Sequence, residues 1–291
     1  VSADAAKAAY QKRTGDRQES QRDMLKKLEL DEISHMKIRQ RCRDRGIEFL
    51  SSPFDGEAAD FLYEIGIKAF KVASGEITNL PFLGYLGAMG RPLILSTGMA
   101  DLAEVTAAVK TLRGAGADDI ALLHCVSAYP AEPADCNLAA MKTLEDTFNV
   151  PVGWSDHTLG WEITVAAAAL GAHVIEKHLT FDADAPGPDH RFSLEPIPFA
   201  AMVAAVRAVE SALGDGLKVP RDCETDVAVA VRKSLVAVRN IRAGETLARE
   251  DIVARRPGCG LSPASLDEWL GRKFNRDVGE GTLLKPDMFT P

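Results

Sequence analysis

The chain has 291 residues, of which 46% are hydrophobic and 26% charged, and carries a formal net charge of −8. That length allows one large domain with a small companion, and the acidic balance with scattered lysines and arginines argues against a nucleic-acid surface. No run reads as long and apolar enough to cross a bilayer and no secretory signal is evident, while five cysteines without close C-x-x-C pairs read as reduced thiols of a cytoplasmic chain rather than a disulfide frame or zinc module.

The chain opens at Val1 in a polar, helix-like segment rich in lysine and glutamine. From residue 47 onward, short apolar runs alternate with amphipathic, alanine-rich stretches. Strand-like runs lie at 47–51, 69–73, 93–96, 120–125, 152–154 and 174–176, with helical patterns between them such as 102–112 and 161–170. This order predicts a parallel α/β architecture of the TIM (β/α)8 type. Six strands are legible where a closed barrel has eight, so either the barrel is built differently or about two N-terminal units are absent from this sequence. A helical stretch at 199–213 ends the predicted barrel domain, 1–213. The linker expected at 214–232 begins with glycine, proline and charge over 214–226. Residues 233–291 read as a β-rich module, with short strands at 234–238, 252–254 and 283–285 and a turn at 242–245. A core that small leans on a neighbour.

Polar residues recur just where the predicted barrel strands end: Ser52, Lys71, Ser74, Glu76, Ser96, Ser127, Tyr129 and Ser155. A single serine in such a place is a turn residue or helix cap. A ring of them, with backbone N–H groups and one lysine, can bind a phosphorylated dianion without a strongly positive surface. His157 and His178 follow two consecutive strand-like runs, and parallel-barrel topology delivers such residues to one mouth, where two imidazoles can share a divalent ion and leave positions open. Cys125 lies inside an apolar run and reads as core rather than nucleophile.

The motifs FLSSPFD, FKVASGEITN, LILSTGM, LLHCVSAYP, VGWSDHT, VIEKHLT, PGPDH and RRPGCG follow one another from residue 47 to near the end. In these the chain resembles the sialic acid synthases, which include N-acetylneuraminate, N,N'-diacetyllegionaminate and pseudaminate synthases. The resemblance implies a TIM barrel followed by a small antifreeze-like SAF domain, in a domain-swapped homodimer where that domain covers the partner's barrel mouth. It also implies condensation of phosphoenolpyruvate with an N-acylated mannosamine-type sugar, releasing phosphate. Ser52, Lys71, Ser74, Ser96, Ser127 and Ser155 would then hold phosphoenolpyruvate. His157 and His178 would hold Mn²⁺ or Mg²⁺, Glu76, Tyr129 and Asp189 would lie near the sugar, and Arg256 would reach its acyl group from the partner. Lys71 and Glu76 join the two histidines as expected catalytic groups, Lys71 by stabilising developing negative charge and Glu76 by proton transfer or a substrate hydrogen bond. Ser127 stands where neuraminate-type members often carry asparagine, and FKVASGEITNLPFL and GPDHRFSLEP look closer to the legionaminate branch. The alternatives are another phosphoenolpyruvate-condensing barrel, for which no second cluster of basic residues is visible at the strand ends, and a catalytically silent sugar-binding protein of the same fold.

Overall fold

The computed structural model describes residues 1–2, 5–14 and 19–291, so residues 3–4 and 15–18 of the helix-like opening segment lie outside the described residues. Three helices come first, α1 (Ala9–Thr14), α2 (Gln21–Lys26) and α3 (Glu32–Arg45). Asp31 caps the start of α3 by accepting the Ser34 N–H at 2.7 Å. Then α4 (Gly56–Glu64), β1 (Phe70–Val72), α5 (Leu80–Ala88), β2 (Leu93–Ser96), α6 (Leu102–Gly114), β3 (Ile120–Cys125), α7 (Ala140–Phe148), β4 (Val152–Asp156), α8 (Glu162–Ala169), β5 (Ile175–Lys177) and α9 (Pro196–Leu213) alternate. The five strands form one parallel sheet in the order β1-β2-β3-β4-β5, each joined to the next through a helix.

Strand periodicity separates the two faces of the sheet. Phe70, Val72, Leu93, Leu95, Ile120, Leu122, Val152 and Trp154 belong to the main core, with Leu83 and Leu86 of α5, Val105 and Leu112 of α6 and Leu144 of α7. The alternate positions Lys71, Ser96, Cys125, Ser155 and Glu176 therefore belong to the opposite face. That face, not the apolar one, supplies the polar residues discussed below.

Two expectations from the sequence need correction. The run 47–51 forms no strand: its Ile47 N–H closes the end of α3 on the Cys42 carbonyl at 3.0 Å, and Ile47 and Leu50 stay 62% and 41% exposed. An extended run becomes a strand only when a neighbouring backbone takes up its N–H and C=O groups, and among the described residues no ladder forms on that edge of β1. The sheet is thus a five-stranded half-barrel, and the eight-unit closure is not reached among the described residues. Secondly, α9 is long and apolar enough to pass as a membrane span by length and composition alone, contrary to the reading of the sequence. Its alanines raise hydropathy without demanding burial, and it lies against α8 with an Arg207–Glu210 ion pair on its surface at 2.7 Å.

The chain divides into two units, Val1–Gly214 and Asp215–Pro291. The second contains α10 (Thr225–Val231), within the stretch expected to be a linker, then β6 (Ser234–Ala237), β7 (Ile252–Arg255) and α11 (Leu266–Trp269). β6 and β7 pair antiparallel, and Val236 also bridges Leu283. Leu235, Ile241, Phe274, Leu284 and Phe289 form its separate small core.

Gly153 shows how tightly β4 and β5 approach. A Cβ there would lie within 3.0 Å of the Val174 carbonyl and of the Leu123 side chain, and that carbonyl accepts the Trp154 N–H at 2.9 Å. Gly153→Ala is expected to destabilise the first unit by about 1–3 kcal/mol through overpacking. Urea unfolding should show a lower midpoint at unchanged slope.

Candidate active site

The polar face of the sheet carries a connected set of side chains. Lys71 Nζ on β1 donates to Ser96 Oγ of β2 at 2.8 Å and to the Val72 carbonyl at 3.3 Å, and lies 3.5 Å from Glu176 Oε2 of β5. Ser155 Oγ of β4 donates to Glu176 Oε1 at 2.6 Å. Beside this network three strand-end segments converge on Gly98. Its N–H donates to Ser74 Oγ at 3.0 Å, Ser74 Oγ is 3.3 Å from Cys125 Sγ, and a Cβ at residue 98 would lie within 3.0 Å of Ser127 Oγ, Cys125 Sγ and Ser74 Oγ. Only glycine lets these segments close in. The Cys125 thiol is buried and pushed up by that burial, as a core cysteine should be.

The histidines form a second group. The His157 and His178 ring centroids are 5.4 Å apart. His157 Nδ1 donates to the Val126 carbonyl at 2.7 Å, which leaves Nε2 with its lone pair available. Burial pushes both imidazoles below the ordinary histidine value, with His178 adding to the effect on His157; both are therefore neutral imidazoles near neutral pH. Tyr129 lies 4.4 Å from His157 and 5.4 Å from Phe192, and Phe192 is 5.2 Å from His178. Burial, reinforced by Tyr10, Cys125 and Asp189, pushes the Tyr129 phenol up to about 12. The carboxyl of Asp189 is raised by burial against the opposing influence of His157 and His190, and its Oδ1 is buried without a hydrogen-bond partner among the described residues.

The structure thus brings together Lys71, Ser96 and Ser155 in one network, Ser74 and Ser127 in a second cluster, and His157, His178 and Tyr129 in a third. Among the described residues the Lys71 network reaches neither Ser52 nor Glu76. Ser52 is half-buried ahead of α4, and Glu76 accepts from the Asn79 side chain at 2.8 Å. Arg256 is exposed in the second unit, directly after β7. Sequence reasoning missed Glu176, which the ladder sets opposite Ser155, and Tyr10 of α1, whose ring lies 4.8 Å from that of Tyr129.

Among the described residues no three His, Cys, Asp or Glu side chains gather to hold a metal ion. Two neutral imidazoles beside a partnerless buried carboxylate oxygen do fit an exchangeable divalent ion with open positions, and do not fit a closed zinc site.

Residues 1–218 match the NeuB family and residues 232–290 match the SAF domain. The chain belongs to the NeuB family. It is 42% identical over 282 residues to an N,N'-diacetyllegionaminic acid synthase of Legionella pneumophila, covering 96% of this chain and 79% of the relative. It is 43% identical over 287 residues to the protein of the same name in Campylobacter jejuni, covering 98% and 86%. The crystal structure of an N-acetylneuraminic acid synthetase from Leptospira borgpetersenii superposes with a TM-score of 0.68 at 34% identity, over 75% of this chain and 76% of its own.

The buried imidazoles have a consequence for stability. His124, like His157 and His178, is pushed below the ordinary value of 6.5 by burial. Near and below that pH the unfolded chain binds more protons than the folded one, so this contribution is complete above it and is lost as pH falls through it. Asp189, shifted upward, acts in the opposite sense, its cost being relieved as pH drops. Metal-free protein should therefore unfold at lower urea at about pH 5.5 than at about pH 7.5, and His124→Gln should reduce the difference. A midpoint equal at both values would contradict this account.

Proposed function

We propose that this chain is an enzyme of the sialic acid synthase type, which condenses phosphoenolpyruvate with an open-chain N-acylated mannosamine-type sugar to give a nonulosonic acid and phosphate. The observation that carries the reading is one strand face holding Lys71, Ser96, Ser155 and Glu176 in hydrogen-bonding or ionic contact, with two neutral imidazoles at the adjoining strand ends. Lys71 and the hydroxyls of Ser52, Ser74, Ser96, Ser127 and Ser155 would bind the phosphoenolpyruvate dianion. A Mn²⁺ or Mg²⁺ ion on His157 and His178 would supply Lewis-acid polarisation of the sugar aldehyde.

The chain's own groups account for the remaining steps. C3 of phosphoenolpyruvate attacks the aldehyde carbon, water adds at C2, and the C2–O bond to phosphate breaks. Lys71 offsets negative charge as phosphate leaves. Asp189 accepts from a sugar hydroxyl, which removes its unsatisfied state. Tyr129 remains a neutral phenol and, with Phe192, walls the histidines from water. Glu76 and Glu176 are the two candidate proton carriers, and the contact with Ser155 favours Glu176. The two relatives named N,N'-diacetyllegionaminic acid synthase favour a 2,4-diacetamido-trideoxymannose over N-acetylmannosamine.

Phosphate release with Mn²⁺ and a panel of mannosamine derivatives tests the reading. Turnover should require phosphoenolpyruvate and one acylated sugar, stop on chelation and return with Mn²⁺. Full activity of a His157→Ala, His178→Ala double variant would remove the metal site from the mechanism. Lys71→Met should lower kcat/KM for phosphoenolpyruvate by about 10–100-fold, the worth of one charged hydrogen bond. Unchanged kinetics would make Lys71 structural.

Arg256 belongs to the same reading as a partner-supplied group, donating planar hydrogen bonds to the acyl oxygen across a homodimer. Mixing an Arg256→Ala chain with a His157→Ala chain should regenerate one working site per mixed dimer, since one barrel with intact histidines then faces one intact arginine. Mixed dimers that form without recovered activity would place Arg256 outside the partner's site.

A further inference from the structure

The ladder between β4 and β5 has three rungs, Trp154↔Ile175, Ser155↔Glu176 and Asp156↔Lys177. The next residue on each strand is a histidine. On the last rung Asp156 Oδ2 and Lys177 Nζ form an ion pair at 3.1 Å with both side chains fully buried. Strand alternation puts them on the face opposite Ser155 and Glu176, where Thr164 of α8 donates its hydroxyl to Asp156 Oδ2 at 2.5 Å. Asp156 Oδ1 accepts both the N–H and the hydroxyl of Thr158 at 2.8 and 2.7 Å, and Lys177 Nζ donates to the Thr158 carbonyl at 2.6 Å.

A buried pair like this gives little net stability compared with apolar residues of similar volume, so stability alone does not account for it; fixing register is its best-attested use. Here the register is that of the two imidazoles. Residues 156 and 158 are tied to each other and to Lys177, which clamps His157 on both sides and joins it to the residue preceding His178. The His157 ring is further fixed by Val126, and the His178 carbonyl accepts the Leu194 N–H at 2.9 Å.

We infer that the Asp156–Lys177 pair, with Thr158 and Thr164, is a positioning device that sets the spacing of His157 and His178 and thereby the affinity for a divalent cation. Neither charged group is a ligand; both act through the backbone. The inference rests on reading the two histidines as a metal pair.

The test uses the full chain and Mn²⁺ alone, with free Mn²⁺ followed by its electron paramagnetic resonance signal and folding followed by circular dichroism melts. The Asp156→Leu, Lys177→Met double variant removes both charges together, so no buried charge is left unpaired. It should fold but melt below the wild type, because the buried Thr158 and Thr164 groups lose their partners, and should bind Mn²⁺ about 10–100-fold more weakly, the usual cost of losing support behind a ligand. Thr164→Val leaves the ion pair in place and should weaken Mn²⁺ by about 5-fold, the net worth of one hydrogen bond, which keeps the test decisive should the double variant not fold. Folded variants that bind Mn²⁺ as tightly as the wild type, whatever their melting temperature, overturn the positioning role alone. A wild type that binds no Mn²⁺ overturns the metal reading and this inference together.

Discussion

Lys71 stands on the first strand of the sheet and Glu176 on the last, yet their charged atoms are 3.5 Å apart. Four steps between neighbouring strands would separate them by about 19 Å in a flat sheet, farther than the two side chains can jointly span. The sheet must therefore curl, in the sense that right-handed strand twist favours. The Lys71–Glu176 contact follows from that curl. It turns residues of the first and last strands toward one another, so the adjacent-strand contacts Lys71–Ser96 and Ser155–Glu176 join into one network. Gly153 and Gly98 permit it locally, the first by letting the Val174 carbonyl approach β4 and the second by letting the segments after β1 and β3 close on the turn after β2.

The strands carry ion pairs of opposite character on their two faces. Lys71 and Glu176 are 13% and 40% exposed at 3.5 Å, a geometry worth little as a fixed bond because solvent competes for both charges. On the proposed reading, an incoming dianion would replace Glu176 on Lys71 at small cost. Asp156 and Lys177 are sealed at 3.1 Å with several further hydrogen bonds, and breaking one member would strand a charge where no water reaches it. One pair is suited to exchange and the other to permanence. Binding and support are thereby divided between two faces of the same few residues.

The strand at 120–125 was legible to the residue because alternation and flanking turns agree there. The run at 47–51 carried the same local signal, but a strand also needs a partner edge, and that is a long-range property. The histidines could be found from their place beyond two strand patterns. Glu176 could not, because an acidic residue inside a short apolar run gains meaning only when the ladder sets it opposite Ser155 and the curl brings it to Lys71. Glu76 and Ser52 show the converse: a place beyond a strand does not say which neighbour a side chain meets, and Glu76 meets Asn79, while the run before Ser52 forms no strand at all. Tyr10 was invisible for a third reason, since its ring contact with Tyr129 joins residues far apart in the sequence.

A common rule of placement runs through both units. His157 and His178 each follow the last rung of the β4–β5 ladder, and Arg256 follows Arg255, which pairs with Ser234 on the terminal rung of β6–β7. Ser234 also donates its hydroxyl to the Pro257 carbonyl at 2.7 Å and accepts the Gly260 N–H at 2.9 Å, fastening the loop just beyond the arginine. A residue one step past a ladder has its backbone held on the sheet side while its own side chain is released from the alternation of the strand. When the following loop is fastened as well, by Thr158 behind His157 or Ser234 behind Arg256, the root of the side chain is fixed, and in His157 the ring is held through Nδ1 while Nε2 is left over. Rigid backbone with an uncommitted functional group is what binding requires if little ordering entropy is to be lost on association. The same local construction thus stands behind His157 in one unit and Arg256 in the other.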